Sequence, residues 1–118
     1  MLSRITPGVK MSQDLADYIP PDAVARNAKK GLELRQKFNR GGTEIGIGRA
    51  HQLSNQEHVD PSIIKRMVSY FARHEVDKQA KNFGNEENPS KGYIAWLLWG
   101  GDEGKKWAEK VKASFPKS

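Results

Sequence analysis

A chain of 118 residues with 20 Lys and Arg against 14 Asp and Glu is a single basic domain, at a formal net charge of +6. Hydrophobic residues make up 36% and charged residues 29%, so it is a polar globular chain with room for one hydrophobic core and not for two. It contains no cysteine, which excludes disulfides and thiolate metal sites and suits a reducing compartment. The longest apolar run, residues 94–99, is far too short to span a bilayer, and no apolar signal-peptide core opens the sequence. No membrane association is expected.

The pattern predicts a compact all-α bundle of about five short helices. Residues 1–19 lack a clear period and read as a flexible N-terminal arm, with a short helical turn at 13–18. Residues 20–118 form the helical domain. Pro20-Pro21 is a rigid helix start, and the first helix runs to Asn39-Arg40 before Gly41-Gly42 stops it. Its apolar face carries Val24, Ala28, Gly31 and Phe38, with Leu32 and Leu34 beside them. At about 100° per residue, Arg26, Lys29, Lys30, Lys37 and Arg40 fall on the opposite side, interrupted only by Glu33.

Thr43 is placed to cap a second helix through Leu53. Gly46 and Gly48 weaken that helix and allow another backbone to approach closely. The glycine spacing over residues 41–48 fits neither a Walker A loop nor a dinucleotide fingerprint. Asp60-Pro61 starts a third helix, predicted to reach residues 78–81. Ile63, Ile64, Met67, Val68, Tyr70 and Phe71 form its apolar face, and Lys65, Arg66, Ser69 and Arg73 line the other side. Ser90 is placed to cap a short fourth helix that contains residues 93–99. Gly100-Gly101 turns a corner at which Trp99 and Trp107 are expected to pack, and Asp102 is expected to cap a fifth helix ending near Ala113. No segment alternates as a strand.

Three motifs recur in an order that carries a resemblance. They are Asn39-Arg40-Gly41-Gly42-Thr43 after the first helix, Arg66-Met67-Val68-Ser69-Tyr70-Phe71-Ala72-Arg73-His74-Glu75-Val76, and Ile94-Ala95-Trp96-Leu97-Leu98-Trp99-Gly100-Gly101-Asp102. The set resembles a small helical module encoded by tailed phages and prophages, which occurs alone and within larger phage proteins. The resemblance covers roughly residues 18–112. It implies a phage context, in the host cytoplasm or the virion, and brings no catalytic residues with it.

Charge distribution points to an anionic partner. From Val24 to Arg49 there are seven basic residues and two acidic ones. Lys105, Lys106, Lys110, Lys112 and Lys117 form a second basic area against Glu109. The expected nucleic-acid contacts are Arg26, Lys29, Lys30, Lys37 and Arg40 on the first helix, then Lys65, Arg66 and Arg73 on the third. Such a protein binds DNA through phosphates with little sequence preference. Helices two and three could instead form a helix–turn–helix, although the loop at 54–59 is long for that motif. The blander reading of the ridge is a solvated face on which Glu33 pairs with Lys29, Lys30 or Lys37.

No nucleophile–base set or paired-carboxylate motif stands out, so no enzymatic activity is expected. His51, His58, His74 and Asp77 have no metal-ligand spacing, and neither a metal nor a cofactor is expected. His74 and the three Trp read as core residues, and Glu75 as a partner for His74 or Arg35. The alternative function is a protein-interaction or virion-assembly adaptor that docks a phage or host protein through the same ridge.

Overall fold

The computed structural model describes residues 18–116. Five helices follow one another: α1 (Asp22–Phe38), α2 (Glu44–Ser54), α3 (Pro61–His74), α4 (Lys91–Leu98) and α5 (Gly101–Ala113). A 3₁₀ turn, Glu75–Gln79, links α3 to α4, and there is no strand among the described residues. This is the all-α bundle that the periodicity predicts. Most of the expected arm, including residues 13–17 of its helical turn, lies outside the described residues. Tyr18 is docked: its carbonyl accepts a hydrogen bond from the Val59 N–H at 2.9 Å, and its ring meets His58 and Phe115 edge-on.

The first helix is the centre of the bundle, packing on α2, α4 and α5. Its buried residues are Val24, Ala28, Gly31 and Leu34 of the predicted inner face, together with Ala25, while Leu32 and Phe38 are only half-buried. Small residues dominate that stripe because α4 crosses it at backbone distance. A Cβ on Gly31 would lie 2.7 Å from the Leu98 nitrogen and 3.0 Å from the Leu97 carbonyl carbon. No rotamer change relieves a clash with backbone atoms. Asn39 ends α1 in the left-handed conformation at φ 52°, donating its N–H to the Arg35 carbonyl, and Gly41 and Gly42 follow at positive φ.

The caps at Thr43 and Ser90 form as predicted, with the hydroxyls accepting from the N–H groups of Gly46 and Tyr93. Of the two glycines in α2, Gly46 is in a close contact, where an added Cβ would come 3.3 Å from Trp99 Nε1. Gly48 faces open space. The second and third helices do not form a helix–turn–helix pair, because α2 packs on α1 and α4 rather than on α3. The third helix does bury Ile64, Met67, Tyr70 and Phe71, as its period requires.

The third helix stops earlier than predicted. After His74 the apolar face is spent: Glu75 is exposed and Val76 is 60% exposed. The chain tightens into the 3₁₀ turn, held by ion pairs from Lys78 to Glu75 and to Asp102, each at 3.1 Å. Asp102 consequently does not cap α5, which starts at Gly101 with Gly100 as its N-cap. Instead the Asp102 carboxylate accepts a hydrogen bond from Trp96 Nε1 at 2.9 Å. The corner needs glycine, since φ is 111° at Gly100 and 69° at Gly101. Asn27 of α1 braces it, donating to the Gly100 carbonyl at 2.8 Å and to Glu103 at 2.7 Å.

Two other expected contacts are replaced. Glu75 pairs with Lys78 and Lys105, not with Arg35. Arg35 donates from Nε to the Gly41 carbonyl at 3.1 Å, tying the end of α1 to its own loop. Trp99 stacks on Tyr70 rather than packing against Trp107.

Gly31→Ala is expected to lower stability by about 1–3 kcal/mol through overpacking, partly offset by helix propensity. Gly48→Ala meets no neighbour and should raise stability by up to about 1 kcal/mol. Urea unfolding of the two variants checks this pair of opposite signs.

Candidate functional site

The period of α3 sets up the site. Lys65, Ser69 and Arg73 recur every fourth residue, and Arg66 shares a heptad position with Arg73, so these side chains run along one side while Ile64, Met67 and Phe71 point into the core. Opposite them stand the start of α2 and the near side of α4. The three helices enclose a cleft of about 820 Å³. Lys65, Arg66, Ser69 and Arg73 line it from α3, Thr43 and Ile45 from α2, and Lys91 and Trp99 from α4 and its end.

The wall of the cleft is a column of stacked rings. Tyr70 stacks on Trp99 at 4.6 Å and 7°, and on His74 at 4.4 Å and 24°. The Arg49 guanidinium lies over the Trp99 ring at 5.3 Å. Trp99 and Tyr70 are buried, as expected of core aromatics. His74 is not: its side chain is 40% exposed, with Nδ1 3.1 Å from Asp77. The reason is its position at the last residue of α3, where the chain turns away from the core.

Charge at the cleft is unbalanced. Lys65, Arg66, Arg73 and Lys91 make no ion pair with any described residue, and the one acid on the lining, Asp77, is engaged by His74. Arg49 stands beside them with one nitrogen bonded to Gln52 at 2.8 Å and its buried Nε without a partner. Burial, then the nearby positive charge of Arg66, lowers the pKa of Arg49. The Tyr70 hydroxyl is also buried and unpartnered among the described residues. Burial and then the Asp77 charge raise its pKa well above the ordinary phenol range, so it stays protonated.

The expected contact residues therefore divide into two groups. Lys65, Arg66 and Arg73 come together on the cleft. Arg26, Lys29, Lys30, Lys37 and Arg40 do not reach it. Arg26, Lys29 and Lys37 are exposed on α1, whereas the other two serve the fold. Lys30 pairs with Glu86 rather than with Glu33. Arg40 donates to Asn88 Oδ1 at 3.1 Å and to the Pro89 carbonyl at 3.0 Å, clamping the loop before α4.

Sequence reasoning missed Lys91 and Arg49. Lys91 had a signal: a lysine at the first position of a helix opposes the helix dipole, which favours an acid there. Arg49 had none, because its place beside Trp99 depends on how α2 packs against α4.

Known protein families, curated proteins and solved structures provide no match to the chain. Its class is therefore defined by its own geometry: a five-helix bundle with a basic cleft walled by stacked aromatic rings. Among the described residues, no helix is long and apolar enough to cross a membrane.

Two outcomes follow from the buried Tyr70 hydroxyl and the paired Asp102 carboxylate. Tyr70→Phe removes an unsatisfied hydroxyl and should stabilise the protein by about 1 kcal/mol, read as a higher urea midpoint. Asp102 should mark the acid side of the stability profile. Burial alone would raise its pKa, but hydrogen bonds from Lys78 and Trp96 and the charges of Lys78 and Lys106 hold it below the usual value. A depressed folded pKa gives stability that is present above the unfolded value and lost as pH falls through the folded one. Asp102→Asn should therefore flatten the loss of stability on acidification through the carboxylate range, read by urea unfolding across a series of acid pH values.

Proposed function

We propose that this protein binds nucleic acid through phosphate contacts with little sequence preference, as an accessory factor in phage genome replication or packaging. The observation that carries the reading is the cleft, where four cations stand unpaired around a lining whose one acid is already engaged. Unneutralised cations at a concave surface raise the local concentration of polyanions. Each phosphate they neutralise releases condensed counterions, which drives binding at low salt. Lys65, Arg66, Arg73 and Lys91 are the principal contacts in this reading. Arg26, Lys29 and Lys37 of α1 supply a second, flatter basic surface that adds affinity. The phage setting rests on the resemblance of the three sequence motifs.

A protein partner is the second reading, favoured by one observation: Ile45 is 61% exposed at the rim of the same cleft. An exposed large aliphatic side chain beside cations suits an acidic, apolar peptide surface.

Fluorescence anisotropy with single- and double-stranded DNA across a salt series tests the proposal. The expected result is salt-sensitive binding. An Arg66→Ala/Arg73→Ala variant should reduce the slope of log K against log salt by roughly one unit per lost contact. An Arg26→Ala/Lys29→Ala/Lys37→Ala variant should bind with a smaller loss. Absence of binding to either form of DNA at low salt overturns the reading and leaves the partner-docking surface in its place.

A further inference from the structure

The cleft has features that a phosphate track alone does not need. Its volume, about 820 Å³, falls within the roughly 300–1,000 Å³ of small-molecule sites. Arg49 of α2 feels the positive charge of Arg66 of α3, both stand outside the ion pairs of the described residues, and Arg73 follows Arg66 two turns along α3. That arrangement is costly unless an anion sits among the guanidiniums, which bind phosphate oxygens in pairs.

The ring column supplies the second half of the argument. Tyr70 is sandwiched, with Trp99 on one face and His74 on the other. His74 ends the column: one face rests on Tyr70, and 40% of its side chain is exposed at the cleft. Nδ1 contacts Asp77 at 3.1 Å, which restrains the ring. A restrained and partly exposed imidazole is a stacking platform for a nucleobase.

We propose that this cleft is a nucleoside-phosphate site, in which Arg66 and Arg73 hold the phosphate and His74 stacks on the base. The inference deepens the nucleic-acid reading on which it rests. It specifies one nucleotide unit gripped in a pocket in place of a strand sliding over a charged face. That unit is either a free nucleotide or the terminal nucleotide of a single strand, since both offer the same phosphate and base.

Isothermal titration with AMP, GMP, CMP and UMP, with inorganic phosphate, and with a deoxythymidine decamer carrying or lacking a 5′-phosphate tests the site. At least one mononucleotide or the phosphorylated decamer should bind saturably, and inorganic phosphate at least tenfold more weakly. Arg66→Ala/Arg73→Ala should abolish the binding. His74→Ala should weaken it several-fold. Preference for the 5′-phosphorylated decamer identifies a strand end as the source of the nucleotide. Preference for mononucleotides identifies the free pool.

The inference is overturned if no mononucleotide or decamer binds, or if the arginine variant binds as well as the wild type. Should long DNA still bind in a salt-sensitive way in that case, the nucleic-acid reading stands without the pocket. Should mononucleotides bind while long DNA does not, the pocket stands and the nucleic-acid reading falls.

Discussion

The fold depends on how closely α1 and α4 approach at Gly31. There the backbone of one helix rests against the backbone of the other, with no space for a single methyl group. This contact seats a short α4 of eight residues, whose Leu97 and Leu98 meet the central helix at Gly31 while Trp96 turns to Tyr70 and Phe71 of α3. Burial of such large side chains is the main source of stability in a domain of this size. A bulkier residue at Gly31 would push α4 outward and open the core along its whole length.

That approach also positions the cleft. With α4 seated on α1, the two-glycine corner turns α5 back over α3, and Asn27 pins the corner to α1. Trp99 then sits at the end of α4, where Tyr70 from α3 stacks on it and Gly46 from α2 leaves it room. Three helices meet around one indole, and the space left between them is the cleft. The charged chain Asp102–Lys78–Glu75–Lys105 runs along the outside of this junction. It joins the 3₁₀ turn to α5 and so fixes Asp77 and His74 at the cleft edge.

Much of the fold was legible in the sequence because its punctuation is local. Thr43, Ser90, Asp60-Pro61 and the paired glycines mark helix ends through bonds and conformations that involve only neighbours in sequence. The end of α3 was not legible in this way. Apart from its i,i+3 pair with Glu75, the turn that ends it draws on Asp102, about two dozen residues away, and the same long-range pair takes Asp102 away from its expected role as a cap. The basic character of α3 could be read from its period. Which cations were free could not: Lys30 and Arg40 look like their neighbours on the ridge, yet each is taken up by the loop before α4. The cleft itself belongs to the packing of three helices, and no single segment announces it.

The proposed contact surface is the cleft between α2, α3 and α4 rather than the outer ridge of α1. An amide chemical-shift titration with single-stranded DNA examines that placement residue by residue. The largest shifts should fall on Lys65, Arg66, Ser69, Arg73, His74 and Lys91, with smaller ones at Lys29 and Lys37. Shifts confined to α1, or to the lysines of α5, would contradict it.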